Sequence, residues 1–322
     1  MKLSVVATLY KSSAFVGEFH RRASDAARAL AGDDYEIVLV NDGSPDDSLE
    51  LAVGIADVDA HVVVVDLSRN FGHHKAMLTG LEHARGDRIF LVDTDLEEEP
   101  EWLLPFARAM DDTRCDMVYG VQEVRKGGLF ERVSGDLFYR VFNLSSGMDL
   151  PRGIVTARLM TRRFVDALLL HREREVFIVG LFHLTGFDQR PFAVKKHGRP
   201  GSSYTLRRKI SLAVNAVTSF SNAPLIWVFN IGLAISFFAA AYVAYLVFNA
   251  LFLTRPLVGW TSVIASIWLV GGMIICFIGI VGIYLSKVFT EVKQRPYTIV
   301  RRVYGRGAGT TNRGSGNGLP LA

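Results

Sequence analysis

The residues best equipped for chemistry are two carboxylates two positions apart, in Asp93-Thr94-Asp95-Leu96. At the end of a strand, Asp-X-Asp spacing lets hard oxygen ligands share one divalent cation. The competing reading is a pair of acids that merely solvates a turn. Asp42 lies in a second such stretch, Asn41-Asp42-Gly43-Ser44-Pro45. Alone this is an ordinary turn, but its carboxylate can accept hydrogen bonds from a base or a ribose. His73 and His74 follow the polar segment Ser68 to Gly72. No convincing set of further ligands accompanies them, so they read as loop residues rather than zinc ligands.

The elements that must position these groups follow from hydrophobic period. Leu3 to Leu9, Tyr35 to Val40, His61 to Leu67 and Asp87 to Val92 are short β-rich runs. Between them, Phe15 to Leu30, Asp46 to Ile55 and His74 to His83 suit helices. Strands alternating with helices predict an α/β fold with a mostly parallel, doubly wound sheet. Such sheets bind ligands beyond the C-terminal ends of their strands, which is where Asp42, Ser68 to Gly72, Asp93 and Asp95 fall. After Gly120 the period weakens. Lys126-Gly127-Gly128 reads as a break and Phe130 to Leu144 as an aromatic-rich helix.

Two long apolar runs follow, Leu225 to Leu253 and Val258 to Leu285. Each exceeds the roughly 20 residues needed to cross a bilayer, so two transmembrane helices are expected. Arg207, Arg208 and Lys209 precede the first, and Lys287, Lys293, Arg295, Arg301 and Arg302 follow the second, against Arg255 between them. That asymmetry places both chain ends in the cytosol. Ser211 to Phe220, just after the basic cluster, suits an interfacial helix, and the Gly-rich stretch from Gly305 suits a disordered tail.

Composition narrows the classes. The chain has 322 residues, 50% of them hydrophobic, and a net charge of +4 from 36 basic and 32 acidic residues. That charge is too small and too interspersed to argue for nucleic acid. Cys115 and Cys276 form no disulfide framework. The N-terminus meets Lys11, Ser12 and Ser13 too early for a secretory signal, so it is expected to be a strand of a cytosolic domain.

Val40-Asn41-Asp42-Gly43-Ser44, Ser68-Arg69-Asn70-Phe71-Gly72, Asp93-Thr94-Asp95-Leu96, Glu173-Arg174 to Gly180-Leu181, Gly186-Phe187 and Ser202-Ser203-Tyr204 occur in this order ahead of the paired apolar runs. With that order, nearly the whole chain resembles the family-two glycosyltransferases, in particular the polyprenyl-phosphate sugar transferases related to dolichol-phosphate mannose synthase and the bacterial bactoprenol glucosyltransferases. The resemblance implies a GT-A-like catalytic domain over residues 1–198, a basic juxtamembrane and interfacial segment over 199–224, the two membrane helices within 225–285, and a cytoplasmic tail over 286–322. It further implies a nucleoside-diphosphate sugar donor, a polyprenyl phosphate acceptor, a bacterial inner or plasma membrane location, and Mg²⁺ or Mn²⁺ held by Asp93 and Asp95. UDP-glucose and undecaprenyl phosphate are the working substrates. Self-association into a homo-oligomer stays open.

The same resemblance implies roles for individual residues. Thr8, Tyr10, Asp42, Arg69, Asn70 and Asp93 belong to the nucleotide pocket. Asp95 and Arg174 belong to the reaction centre, and Arg158, Arg174, Arg207, Arg208 and Lys209 to the acceptor phosphate. In the family a Gly-Asp-Phe-Arg stretch supplies a carboxylate at the reaction centre, whereas this chain has Val155-Thr156-Ala157-Arg158. Three readings stay open: no carboxylate is needed, Asp149 supplies it, or activity is altered. The first is favoured, because an acceptor phosphate with a second ionisation near about pH 6 is already an anionic nucleophile. A nucleotide-sugar-binding protein without catalysis and a processive polysaccharide synthase are the alternatives. The second lacks its usual Gln-X-X-Arg-Trp motif here.

Overall fold

The computed structural model describes residues 1–122, 153–173, 178–196, 223–252 and 260–305. The expected helices at Phe130 to Leu144 and Ser211 to Phe220 lie outside the described residues. The chain divides into two compact units, one formed by Met1–Arg132, Pro151–Ser202 and Pro296–Ala322, the other by Val133–Leu150 and Ser203–Arg295.

In the first unit the chain runs β1 (Leu3–Leu9), α1 (Val16–Ala31), β2 (Tyr35–Asn41), α2 (Ser48–Val58), β3 (Val62–Leu67), α3 (His73–His83) and β4 (Arg88–Leu91). After a 3₁₀ turn at Pro100–Trp102 come α4 (Leu103–Thr113), β5 (Met117–Gln122), β6 (Ile154–Thr161), α5 (Arg162–Leu169), α6 (Ile178–Leu184) and β7 (Gln189–Val194). The last strand, β8 (Val300–Tyr304), returns from the far end of the chain. All the expected front strands and helices are present, with bounds within a few residues of those read from hydrophobic period.

One eight-stranded sheet results, in the order β7-β5-β6-β4-β1-β2-β3-β8. The strands β3, β2, β1 and β4 run parallel, whereas β6 is antiparallel to both β4 and β5, and β8 is antiparallel to β3. Every residue of β1 and β2 is buried. A parallel sheet covered on both faces favours such near-continuous apolar runs, broken in β1 and β2 by Ser4, Thr8, Glu36 and Asn41, which is why these strands do not alternate. Helix α1 closes one face with Phe19, Ala23, Ala26 and Ala27 on a single stripe. Helix α3 approaches closely at Gly80, where a Cβ would stand 2.5 Å from Val6 Cγ1.

The strand order reverses at β1. Chain progress through β2 and β3 lies on one side and β4 on the other, so a crevice opens beyond the C-terminal ends of β1 and β4. Strand β8 was not expected: residues 300–304 read as the basic flank of a membrane span, and they are instead the edge strand beside β3.

The second unit contains α7 (Ala223–Phe252) and α8 (Trp260–Val292), which take in the described parts of both expected apolar runs. Among the described residues one segment, the 23-residue Val270–Val292, is long and apolar enough to cross a membrane, and Ala223–Ile235 is a shorter apolar segment. Large apolar side chains on both helices face outward, with Phe237 and Phe238 at 70% and Ile275 at 73% exposure. Exposed apolar surface of this extent marks a surface meant for lipid or for a partner.

Candidate active site

Three strand-end loops form the rim of the crevice, and short polar side chains tie them together. Asp46 accepts hydrogen bonds from Ser44 Oγ at 2.5 Å, Ser48 Oγ at 2.5 Å and the Ser13 amide at 3.1 Å. Partial burial works against its ionised form, but these donors prevail and hold its pKa well below the usual carboxylate range. The amides of Lys11 and Ser12 reach Ser44 Oγ at 2.7 Å and Ser48 Oγ at 2.9 Å, which fixes the loop after β1 to the loop after β2. Thr94 Oγ1 donates to the Thr8 carbonyl at 2.9 Å and fixes the loop after β4 to the end of β1.

Asp42 is only 2% exposed, and its two oxygens accept the amides of Phe71 at 2.7 Å and Gly72 at 3.0 Å. From the sequence, this carboxylate could accept hydrogen bonds from a base or ribose; in the structure each of its oxygens accepts a backbone amide of the loop of residues 68–72. Burial raises the Asp42 pKa, and the two amides and His73 only partly counter it. Gly43 permits this closure: its φ is +58°, and a Cβ there would lie 2.4 Å from the Asn70 nitrogen. Arg69 and Asn70 are exposed on the same loop, with the Arg69 guanidinium 4.2 Å from the Phe71 ring centroid. Tyr10 is 48% exposed at the rim, and Thr8 is buried beneath it.

Asp93 and Asp95 leave the end of β4 together. His73 at the start of α3 lies between Thr8 and Asp93, with Nδ1 3.0 Å from Thr8 Oγ1 and Nε2 3.2 Å from Asp93 Oδ1. The second contact is an ion pair when His73 is protonated, and it is what the described residues offer the buried Asp93 Oδ1. Burial disfavours the Asp93 anion, yet His73, the Thr156 side chain and Lys196 outweigh it and hold the pKa below the ordinary range. The His73 pKa is raised, since Asp93 outweighs the opposing effect of burial. Asp95 moves up, chiefly through burial and then through the neighbouring charges of Asp93 and Glu97, and its Oδ1 accepts the Glu97 amide at 3.0 Å.

Beneath this pair lies Glu98, which is fully buried and accepts the amides of Thr156 at 2.9 Å and Ala157 at 2.6 Å. Burial and the Asp93 charge push its pKa up to about 7. Lys196, at the end of β7, places Nζ 3.3 Å from Glu97 and 3.4 Å from Glu98. The sequence reading passed over both. One acid among Glu97, Glu98 and Glu99 carries no local mark of being the buried one, and Lys195-Lys196 looks like any exposed basic pair.

Arg158, expected at an acceptor phosphate, is 3% exposed and spends Nε and Nη2 on the carbonyls of Thr156 and Val155 at 2.8 and 2.9 Å. Its guanidinium stacks 4.0 Å from the Phe182 centroid, and burial lowers its pKa to about 10. As placed, Arg158 is a positive charge within the floor of the site and does not reach the rim. Asp149, Arg174, Arg207, Arg208 and Lys209 lie outside the described residues.

The donor set suits a hard divalent ion. Asp93 offers a partly buried carboxylate held ionised beside His73, and Asp95 one disfavoured chiefly by burial and then by the neighbouring Asp93 and Glu97 charges. No group of three or more His, Cys, Asp or Glu able to hold a metal occurs among the described residues. A two-carboxylate site completed by water or substrate phosphates is the usual habit of Mg²⁺ rather than of zinc.

Residues 4–169 match the family described as glycosyl transferase family 2. The chain belongs to that family. It is therefore an enzyme of the glycosyltransferase class, with a GT-A-like α/β sheet. A relative named as a glycosyltransferase in Mycobacterium tuberculosis (strain CDC 1551 / Oshkosh) is 48% identical over 305 residues, covering 95% of this chain and 89% of its own. The uncharacterized glycosyltransferase YkcC of Bacillus subtilis (strain 168) is 29% identical, covering 95% of each chain. The SfII prophage-derived bactoprenol glucosyl transferase of Shigella flexneri is also 29% identical, covering 94% of this chain and 98% of its own.

Proposed function

We propose that this enzyme transfers one sugar from a nucleoside diphosphate to a membrane polyprenyl phosphate, with inversion at the anomeric carbon. UDP-glucose and undecaprenyl phosphate are the working pair. The observation that carries the reading is the pair of partly buried carboxylates Asp93 and Asp95 just past the end of β4, in a chain of which the bactoprenol glucosyl transferase relative covers 94%.

In this reading Thr8, Tyr10, Arg69 and Asn70 line the nucleotide pocket, and Asp42 holds the loop that carries the last two. Asp93 and Asp95 hold Mg²⁺ or Mn²⁺, which when bound neutralises charge on the departing diphosphate. Acceptor phosphate oxygen forms the new bond to the anomeric carbon on the face opposite the diphosphate, whose oxygen leaves with the bonding electrons. The product is a β-linked lipid monophosphosugar when the donor is α-linked. Thr156 cannot act as a base, and an acceptor that is already anionic needs none. Its part is to help keep Asp93 ionised. Arg174, Arg207, Arg208 and Lys209 are assigned to the acceptor phosphate, with Arg158 as a positive charge behind the site.

The helices α7 and α8 are assigned as two spans with both chain ends in the cytosol, supported by the basic residues flanking them and by their exposed apolar side chains. Accessibility labelling should then place Arg255 opposite to both termini. The test of function is incubation of the purified protein with radiolabelled UDP-glucose and undecaprenyl phosphate. Equal yields of UDP and a single-sugar lipid, β-linked by NMR, are expected. An α-linked product sinks the inverting mechanism, and repeated sugar addition favours a processive synthase.

A further inference from the structure

One short segment from the other end of the chain holds the start of loop 68–72 and the body of α3, the helix that follows the loop. Before the loop, the Ser68 amide donates to the Ile299 carbonyl at 2.9 Å, and the Ser68 carbonyl accepts Arg301 Nη2 at 2.6 Å. Arg301 Nη1 also lies 3.3 Å from Asp66 Oδ2, at the end of β3. After the loop, in α3, Thr79 Oγ1 is 2.8 Å from Thr298 Oγ1, and Glu82 Oε2 accepts Tyr297 Oη at 2.9 Å. The loop between these anchors is the one whose Phe71 and Gly72 amides Asp42 holds.

Asp66 makes the arrangement consequential. It is 1% exposed, and its other oxygen accepts the Asn41 side-chain amide at 2.8 Å. Asn41 in turn accepts the Ser44 amide at 3.2 Å, on the rim of the crevice. Arg301 thus supplies the cation facing a buried carboxylate, and removing one partner of such a pair leaves the other uncompensated. The strain of that loss falls on the ends of β2 and β3, from which the Asp42 turn and loop 68–72 emerge.

We propose that residues 297–301, which follow α8 in the chain, are a positioning element for loop 68–72, and that Arg301 is its principal positioning residue. The link to catalysis rests on the proposed nucleotide pocket, whereas the link to loop geometry does not. Two readouts on the intact protein in detergent separate them: hydrogen exchange at the Phe71 and Gly72 amides, and calorimetric affinity for uridine and guanosine diphosphates with Mg²⁺.

Arg301→Ala is expected to speed exchange at both amides about tenfold and to weaken diphosphate binding by a similar factor, while a purely structural loss would move the melting temperature and leave affinity per folded molecule unchanged. Arg301→Lys retains the charge near Asp66 but cannot bridge two acceptors, so about threefold effects in the same direction are expected; it also serves as the test if the alanine variant does not fold. Arg302→Ala, whose guanidinium lies 4.9 Å from the Tyr304 ring centroid, should leave both readouts unchanged. Wild-type exchange in Arg301→Ala or Arg301→Lys overturns the positioning role. Faster exchange with undiminished diphosphate affinity overturns its link to the nucleotide. If the wild type binds neither diphosphate while exchange still responds to Arg301, the brace stands and the nucleotide-pocket reading fails.

Discussion

The two ends of one sheet treat buried carboxylates in opposite ways. At the N-terminal ends of the parallel strands, Glu36 is 4% exposed and accepts Ser4 Oγ and the Arg85 amide, each at 2.6 Å. Ser4 Oγ in turn accepts the Gly86 amide at 2.7 Å, and Arg162 gives Nη2 to the carbonyls of Ala84 and Gly86 at 2.8 and 2.7 Å. At the C-terminal ends Asp93 leans on the His73 imidazole, Asp95 is raised by burial and by neighbouring charge, and Glu98 is pushed up to about 7. A neutralised hydrogen-bonded network fixes a fold, whereas several acids crowded at strand ends with pKa values driven apart suit a cationic ligand. The difference teaches which acids serve structure and which serve chemistry.

Exchanging single groups should break this comparison most visibly at Asp95. Asp95→Asn keeps shape and removes a charge, so turnover should fall by about 10²–10³-fold, as for removal of one transition-state electrostatic group. The melting temperature should hold or rise slightly, because the anion is disfavoured where it sits. Turnover unchanged across limiting Mg²⁺ and Mn²⁺ would remove Asp95 from the metal site. Glu36→Ala should do the reverse. It removes the acceptor of Ser4 Oγ and the shorter of the two acceptors of the Arg85 amide, whose other acceptor is Ser4 Oγ at 3.1 Å, costing about 2 kcal/mol by denaturant unfolding. Turnover per folded molecule should stay at the wild-type level, and a loss there would mean the two ends are not separable.

Glu98 sharpens the contrast through pH. Its pKa rises from 4.5 unfolded to about 7 folded, so the native state retains a proton that the unfolded state releases. The Glu98 contribution to stability should therefore decline as pH climbs from about 4.5 to about 7, by up to roughly 3 kcal/mol, and be level above that window. With chelator present, Glu98→Gln should flatten the slope between those values. An equally steep decline in the variant would assign the titration to another group.

Much of the front of this molecule was legible from residue order. Four parallel strands announced themselves because burial on both faces favours largely apolar runs, and Asp42, Asp93 and Asp95 follow such runs closely. The missed residues share a different trait. His73, Glu98 and Lys196 acquire their meaning from partners far away in sequence, such as Thr8 to His73 and Glu98 to Thr156. Strand β8 is only five residues long and carries Arg301 and Arg302, so its pattern is that of a polar flank until β3 supplies the missing edge.

The smallest expected effect lies on the flank of the catalytic end. Arg22 in α1 meets Glu101 in the 3₁₀ turn with Nε–Oε1 at 2.8 Å and Nη2–Oε2 at 2.6 Å. This turn continues directly from the loop that holds Asp95 and Glu98, so a functional reading would have the pair steady the metal-site acids. The geometry is bidentate, which favours a real contribution, but the Glu101 side chain is 46% exposed and water screens the attraction. Arg22→Ala should accordingly lower stability by only about 0.5–1 kcal/mol, with the loss shrinking as salt is added. Turnover should change less than twofold, because Glu98 is held from the other side by the Thr156 and Ala157 amides. A drop in turnover of tenfold or more at wild-type stability would show that the catalytic end extends outward to this surface pair, and the boundary between structural and chemical acids would have to be redrawn around α1.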